Sequence, residues 1–208
     1  MLAKKHFTEL IVFFVIFPIF LGLPEFSAQL KLQISIIPFV YIIYLSIRYR
    51  SSLFKKTKQV KPIQFWKKVG IRSLFIFSST LLYIQFTNPE LLFTSITTQP
   101  TLWIRMLLIY TFLSVIPQEY IYRVFFFYRY RKITYTPQLF YLINAFIFSI
   151  GHLMFHNWLV LLMTFIGGYI FAYTYSKTKS WFWVSVEHAI YGGWLFTVGM
   201  GKILGFPI

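Results

Sequence analysis

The chain has 208 residues, of which 58% are hydrophobic, 23% aromatic and only 12% charged, and it carries a formal net charge of +15. An ordinary soluble domain holds about 45–50% apolar and about 25% charged residues, so this composition excludes one and specifies a polytopic membrane protein. With no cysteine and no aspartate, it also excludes disulfides, thiolate metal sites, a cysteine nucleophile and aspartyl protease chemistry.

At about 1.5 Å per residue, about 20 mostly apolar residues cross the hydrocarbon core. Seven segments of the chain satisfy this and predict helices at roughly 7–24, 30–47, 69–86, 102–128, 138–156, 158–176 and 181–204. The first follows MLAKKH and has the look of a signal peptide, but FSA at 26–28 is a poor cleavage site, so it is read as a span. No polar block is large enough for a soluble module. The expectation is an all-α transmembrane bundle forming one membrane domain, 1–208.

Lysine and arginine set the orientation, because cytoplasmic flanks hold the excess. With the N-terminus inside, fifteen basic residues fall on inner flanks, eight of them in RYRSSLFKKTKQVKPIQFWKK, against Lys31, Arg105 and Lys202 outside. The expected topology is therefore N-terminus in, C-terminus out, with the membrane lipid as one partner. Nucleic acid is not expected as a partner, since the basic residues border spans and form no face of a soluble fold.

Away from the flanks remain Arg72, Arg123, Glu119 and Glu187, together with His152, His156 and His188. An ionisable side chain at mid-bilayer costs at least about 2.5–3.5 kcal/mol, so such residues pair and mark function. Glu119 and Arg123 are i and i+4 and share a helix face, where a purely structural ion pair is the alternative to a site. FSIGHLMFHN sets Phe148, His152 and His156 on one helical stripe. The two histidines offer zinc an i, i+4 pair, yet Leu153 stands where H-E-x-x-H needs glutamate. SVEHAIYGGW brings Glu187 and His188, and Gly192 one turn beyond His188. Gly167, Gly168, Gly192 and Gly193 suit close helix approach.

Three of these stretches occur in one order: QEYIYR (118–123), FSIGH (148–152) and HAIYG (188–192). Together they resemble the CPBP family of intramembrane CAAX-protease-like and bacteriocin-processing proteins. Its signature is E-E-x-x-x-R, then F-x-x-x-H, then a histidine followed four residues later by Asn or Asp. The resemblance covers about 105–200 and leaves the spans up to residue 86 outside it. It implies a glutamate-type intramembrane endopeptidase of a bacterial cytoplasmic membrane, without a cofactor, acting on a protein or peptide substrate. In the family the first glutamate activates water with the first histidine, and the second histidine stabilises the oxyanion with its Asn.

This chain has Gln118 at that first glutamate and Gly192 at that Asn or Asp. Glutamine cannot take a proton from water, so the carried-over catalytic set is Glu119, Arg123, His152 and His188, with Gln118, Phe148, His156 and Glu187 as additional members. Three other readings stay open: a non-catalytic scaffold or immunity-type binding protein, a zinc site on the histidines, and a proton-coupled transporter. The last lacks an evident inverted repeat. Straight helices would keep Glu119 from His152, so Pro117 is expected to bend or break the fourth helix.

Overall fold

The computed structural model describes residues 2–49 and 61–204, and every regular element among them is helical. Five helical runs are long and apolar enough to cross a membrane: Gln29–Arg48, Pro62–Thr87, Pro100–Ile133, Pro137–Phe155 and Trp158–Thr178. The first expected span is represented by a shorter apolar helix, His6–Gly22. The last, Trp181–Val198, falls outside the five because Glu187, His188 and two glycines dilute its apolar residues.

Local chemistry explains most boundaries. Helix α1 (Leu2–Ile11) passes through a π-helical turn at Val12–Ile16 into α2 (Phe17–Gly22). Ser27 caps α3 (Ala28–Arg48) by accepting from the Leu30 amide at 3.2 Å. Helix α4 (Pro62–Thr87) begins seven residues before the expected start, with Pro62 in its first turn, where a missing N–H costs nothing. Lys67 and Lys68, expected in a loop, therefore lie in helix. Most of that expected basic loop falls outside the described residues. After the short α5 (Thr94–Thr98), α6 (Pro100–Ile109), α7 (Ile116–Glu119) and α8 (Phe126–Tyr130) follow one another through π-helical segments at Tyr110–Val115 and Tyr120–Phe125.

The break expected at Pro117 does not occur. The amide of Ile116 bonds to the Thr111 carbonyl five residues back, so the helix widens just before a residue that has no amide to give. Helix α9 (Pro137–Ile150) stops six residues short of the expected span, and α10 (Trp158–Thr178) starts on Asn157, whose side chain accepts from the Leu159 and Val160 amides. Ser180 caps α11 (Trp181–Val198), which ends at Gly199 with φ of +105° before α12 (Met200–Ile203).

The chain divides into two compact units. The first comprises Met1–Thr57 and Tyr120–Lys179. Its densest packing is α9 against α10, where Gly168 lets the helices close: a Cβ there would lie 3.0 Å from the Ala145 Cα. A second anchor is Glu9, buried on α1. Arg129 clamps it with Nε and Nη2 at 2.8 and 2.6 Å, while the Tyr130 and Tyr41 hydroxyls donate at 2.7 and 2.9 Å. Such a fork satisfies both carboxylate oxygens and makes the burial tolerable. Phe14 meets Tyr122, Phe126 and Tyr130 edge to face around the same core.

The second unit comprises Lys58–Glu119 and Ser180–Ile208. Here α11 packs on α4, with Trp194 stacked on Phe77 at 4.1 Å and donating to the Thr80 hydroxyl at 2.9 Å. Trp103 of α6 reaches Thr197 at 3.1 Å. The Trp181 indole donates to the Ile116 carbonyl at 3.1 Å and fixes the helix beside Pro117.

Candidate active site

In the second unit, α7 ends on Glu119 and α11 presents His188. The Glu119 Oε1 lies 2.8 Å from the His188 Nδ1. With the carboxylate ionised, and so only accepting, Nδ1 would carry the proton and leave Nε2 as the acceptor nitrogen. Glu119 is fully buried, whereas the His188 side chain keeps 10% of its surface exposed. The imidazole is therefore the outward member of the dyad and the carboxylate its support.

Glu187 points elsewhere, as a helix neighbour must. It is fully buried and accepts from Arg72 Nη1 at 2.6 Å and from the Tyr191 hydroxyl at 2.8 Å. That ion pair ties α11 to α4. Glu187 is thus engaged by other groups than the dyad. Gln118 donates to the Ser114 hydroxyl along its own helix at 2.9 Å.

Gly192 has a specific neighbour. A Cβ built there would collide with the hydroxyl of Tyr110, which occupies the space a side chain at 192 would fill. The same tyrosine meets the His188 ring edge to face at 6.0 Å, and no hydrogen bond from its hydroxyl is found among the described residues. Glu119, His188 and the Tyr110 hydroxyl together make an acceptor, a proton carrier and a donor in one unit.

The first unit holds the other expected residues. Arg123 is fully buried; its Nη1 donates to the Asn144 Oδ1 at 2.6 Å and its guanidinium lies 4.8 Å from the centre of the Phe148 ring. Asn144, also fully buried, returns a bond from Nδ2 to the Tyr122 carbonyl at 2.9 Å. His152 follows α9 directly, packs on Phe148 at 4.8 Å and donates from Nδ1 to the Phe148 carbonyl at 2.8 Å, so it closes the end of that helix. His156 does not share the stripe of Phe148 and His152. The helix ends at Ile150, a 3-10 turn follows at Leu153–Phe155, and His156 sits exposed in the left-handed region at φ of 50°. Among the described residues no group of three or more histidines and acids is placed to hold a metal.

Residues 100–194 match the family model described as type II CAAX prenyl endopeptidase, Rce1-like. The matched segment, just under half of the chain, supports a relationship to the CPBP, CAAX-protease-like family. No curated protein and no solved structure matches it. The matching model is named for an endopeptidase, and the five long apolar helices make this chain a multi-pass membrane protein. The matched region includes Tyr110, Glu119, Arg123, Asn144, Phe148, His152, His188 and Gly192, while Arg72 lies before it.

Sequence reasoning missed Tyr110 and Asn144. Tyr110 could have been sought as the group that fills the gap over Gly192. Asn144 stands one turn before Phe148 in the apolar run FYLINAFIF, where an amide needs a partner. Arg72 stood out as a stray cation, and its place four residues into the apolar part of α4 already called for an acid.

Proposed function

We propose that this CAAX-protease-like chain is an intramembrane endopeptidase in which His188, backed by Glu119, activates the attacking water. The observation that carries the reading is the 2.8 Å bond between Glu119 and His188 Nδ1. This reading gives the role of base to the imidazole, where the sequence alone suggests the Glu119 carboxylate. His188 Nε2 takes a proton from water as the oxygen attacks the scissile carbonyl, and the buried carboxylate stabilises the imidazolium that forms. The proton then passes to the leaving amine. The Tyr110 hydroxyl, lying over Gly192, donates to the developing oxyanion. No metal or cofactor enters these steps, and the substrate is a peptide bond of a protein or peptide held in the bilayer.

Hydrolysis of a membrane-anchored reporter peptide by the full chain in liposomes tests this. Tyr110→Phe should lower kcat by about 10²–10³, the range for one oxyanion donor, with KM little changed. An unchanged kcat would remove Tyr110 from the chemistry and leave the dyad to act alone.

A second reading, a non-catalytic scaffold or immunity-type binding protein, is favoured by the bond of Gln118 to Ser114 and the complete burial of Glu119. It requires wild-type protein that cleaves nothing and a Gln118→Glu variant that begins to.

The placement in a bacterial cytoplasmic membrane rests on the family and on the basic flanks. Reporter fusions after Lys58 and Lys132 should read cytoplasmic, and those after Pro89 and Ile208 external. The first is set at Lys58 because α4 already begins at Pro62. A cytoplasmic signal after Pro89 would reverse the topology.

A further inference from the structure

Within the first unit a cavity of about 800 Å³ opens between α1, α9 and α10, and its lining combines basic and apolar side chains. His6, Arg129 and Lys132 belong to that lining, and the bond of Arg129 to Glu9 sets its guanidinium against α1 one turn from His6. Val15, Ile143, Phe146, Ile147 and Phe165 line the rest. The order along the chain gives the cavity a direction. Helix α1 packs near Phe126–Ile133, where Glu9 takes Arg129 and Tyr130, and the π-helical turn at Val12–Ile16 packs on α9 farther along. From His6 to Val15 the wall runs nine residues, or about 14 Å. One leaflet of hydrocarbon is about 15 Å deep.

A slot as deep as a leaflet, apolar along its walls and cationic at one end, matches one acyl chain with a negatively charged head. The head site is built. Glu9 takes Nε and Nη2 of Arg129 and so holds the guanidinium in place, with Nη1 outside that fork. The Glu9 and Arg129 charges cancel, so the net attraction comes from the exposed Lys132, with Arg131 next to it in sequence. The Tyr130 hydroxyl is already committed to Glu9, which leaves the head group the cations.

We infer that this groove is a binding site for a single anionic phospholipid, with its phosphate at Arg129 and Lys132 and one acyl chain lying along α1 and α9. The inference rests on the first unit alone and is independent of the catalytic reading. A membrane protein meets lipid everywhere, so the claim is about selectivity and place. Cationic residues next to a bilayer each contribute about 1 kcal/mol toward anionic lipid.

The experiment is native mass spectrometry of the full chain in mild detergent, with phosphatidylglycerol or phosphatidylcholine added. One phosphatidylglycerol should be retained under conditions that strip phosphatidylcholine. Lys132→Glu, a change of two charges at the head site, should weaken that retention at least about tenfold. Ile143→Trp should remove it by filling the tail slot while every charge stays. Lys132→Ala serves if the glutamate variant does not fold, with a smaller loss expected. Equal retention of the two lipids overturns the proposal and leaves an annular shell only. So does selectivity for phosphatidylglycerol that survives both Lys132→Glu and Ile143→Trp, since the lipid then binds elsewhere.

Discussion

Glu119→Gln is expected to lower peptide hydrolysis by about 10⁴, the loss seen when an amide replaces the carboxylate behind a catalytic histidine. The amide oxygen can still accept from His188 Nδ1, so the ring need not move. What disappears is the negative charge that makes a buried imidazolium tolerable, and with it the basicity of Nε2 toward water. A loss of at least about 10² is the least that general-base catalysis allows. The variant must melt with the wild type in detergent for the comparison to hold. Because two groups acting as one unit are not additive, Glu119→Gln with His188→Gln should be no slower than the worse single variant. If Glu119→Gln is folded and fully active, the carboxylate is a structural partner and the catalytic assignment fails.

Arg72→Leu should destabilise the protein by about 3–5 kcal/mol, since it strands the fully buried Glu187 without its 2.6 Å cation. Unfolding by SDS in mixed micelles measures the change. Arg72→Leu combined with Glu187→Leu should recover most of it, because two apolar side chains remove the charge that needed a partner. The same double variant separates Glu187 from the chemistry: it should keep hydrolysis, and its loss would return Glu187 to the site as the second carboxylate. A single-variant cost below about 1 kcal/mol would mean that lipid head groups or water already solvate Glu187.

The helices were legible because each apolar run is long enough to declare itself, and candidate residues for a site were legible because charge in oil is rare. Boundaries were less so. α4 starts early because Lys67 and Lys68 can extend along a helix toward the head groups, and hydropathy counts them as loop. The π-helical segments on either side of Glu119 leave no mark on hydropathy, although they decide how the helix carries Pro117. Glu119 and His188 were both named, but 69 residues separate them in sequence and no spacing rule joins them. For Arg123 the expected neighbour was a carboxylate one turn away; the structure also gives it Asn144 from α9, a long-range partner. His156 was placed by a helical period that ended six residues before it.

The contact between Tyr110 and Gly192 constrains the order in which this site could have changed. Any side chain at 192 enters the volume of the tyrosine hydroxyl, so Gly192→Asn, the change toward the family pattern, meets a clash while Tyr110 stays in place. Removing Tyr110 first opens a gap but blocks nothing. The two positions are therefore coupled: a side chain at 192 and the tyrosine ring at 110 compete for one volume, so one must yield before the other is filled. A laboratory lineage selected for asparagine at 192 should acquire a smaller residue at 110 beforehand.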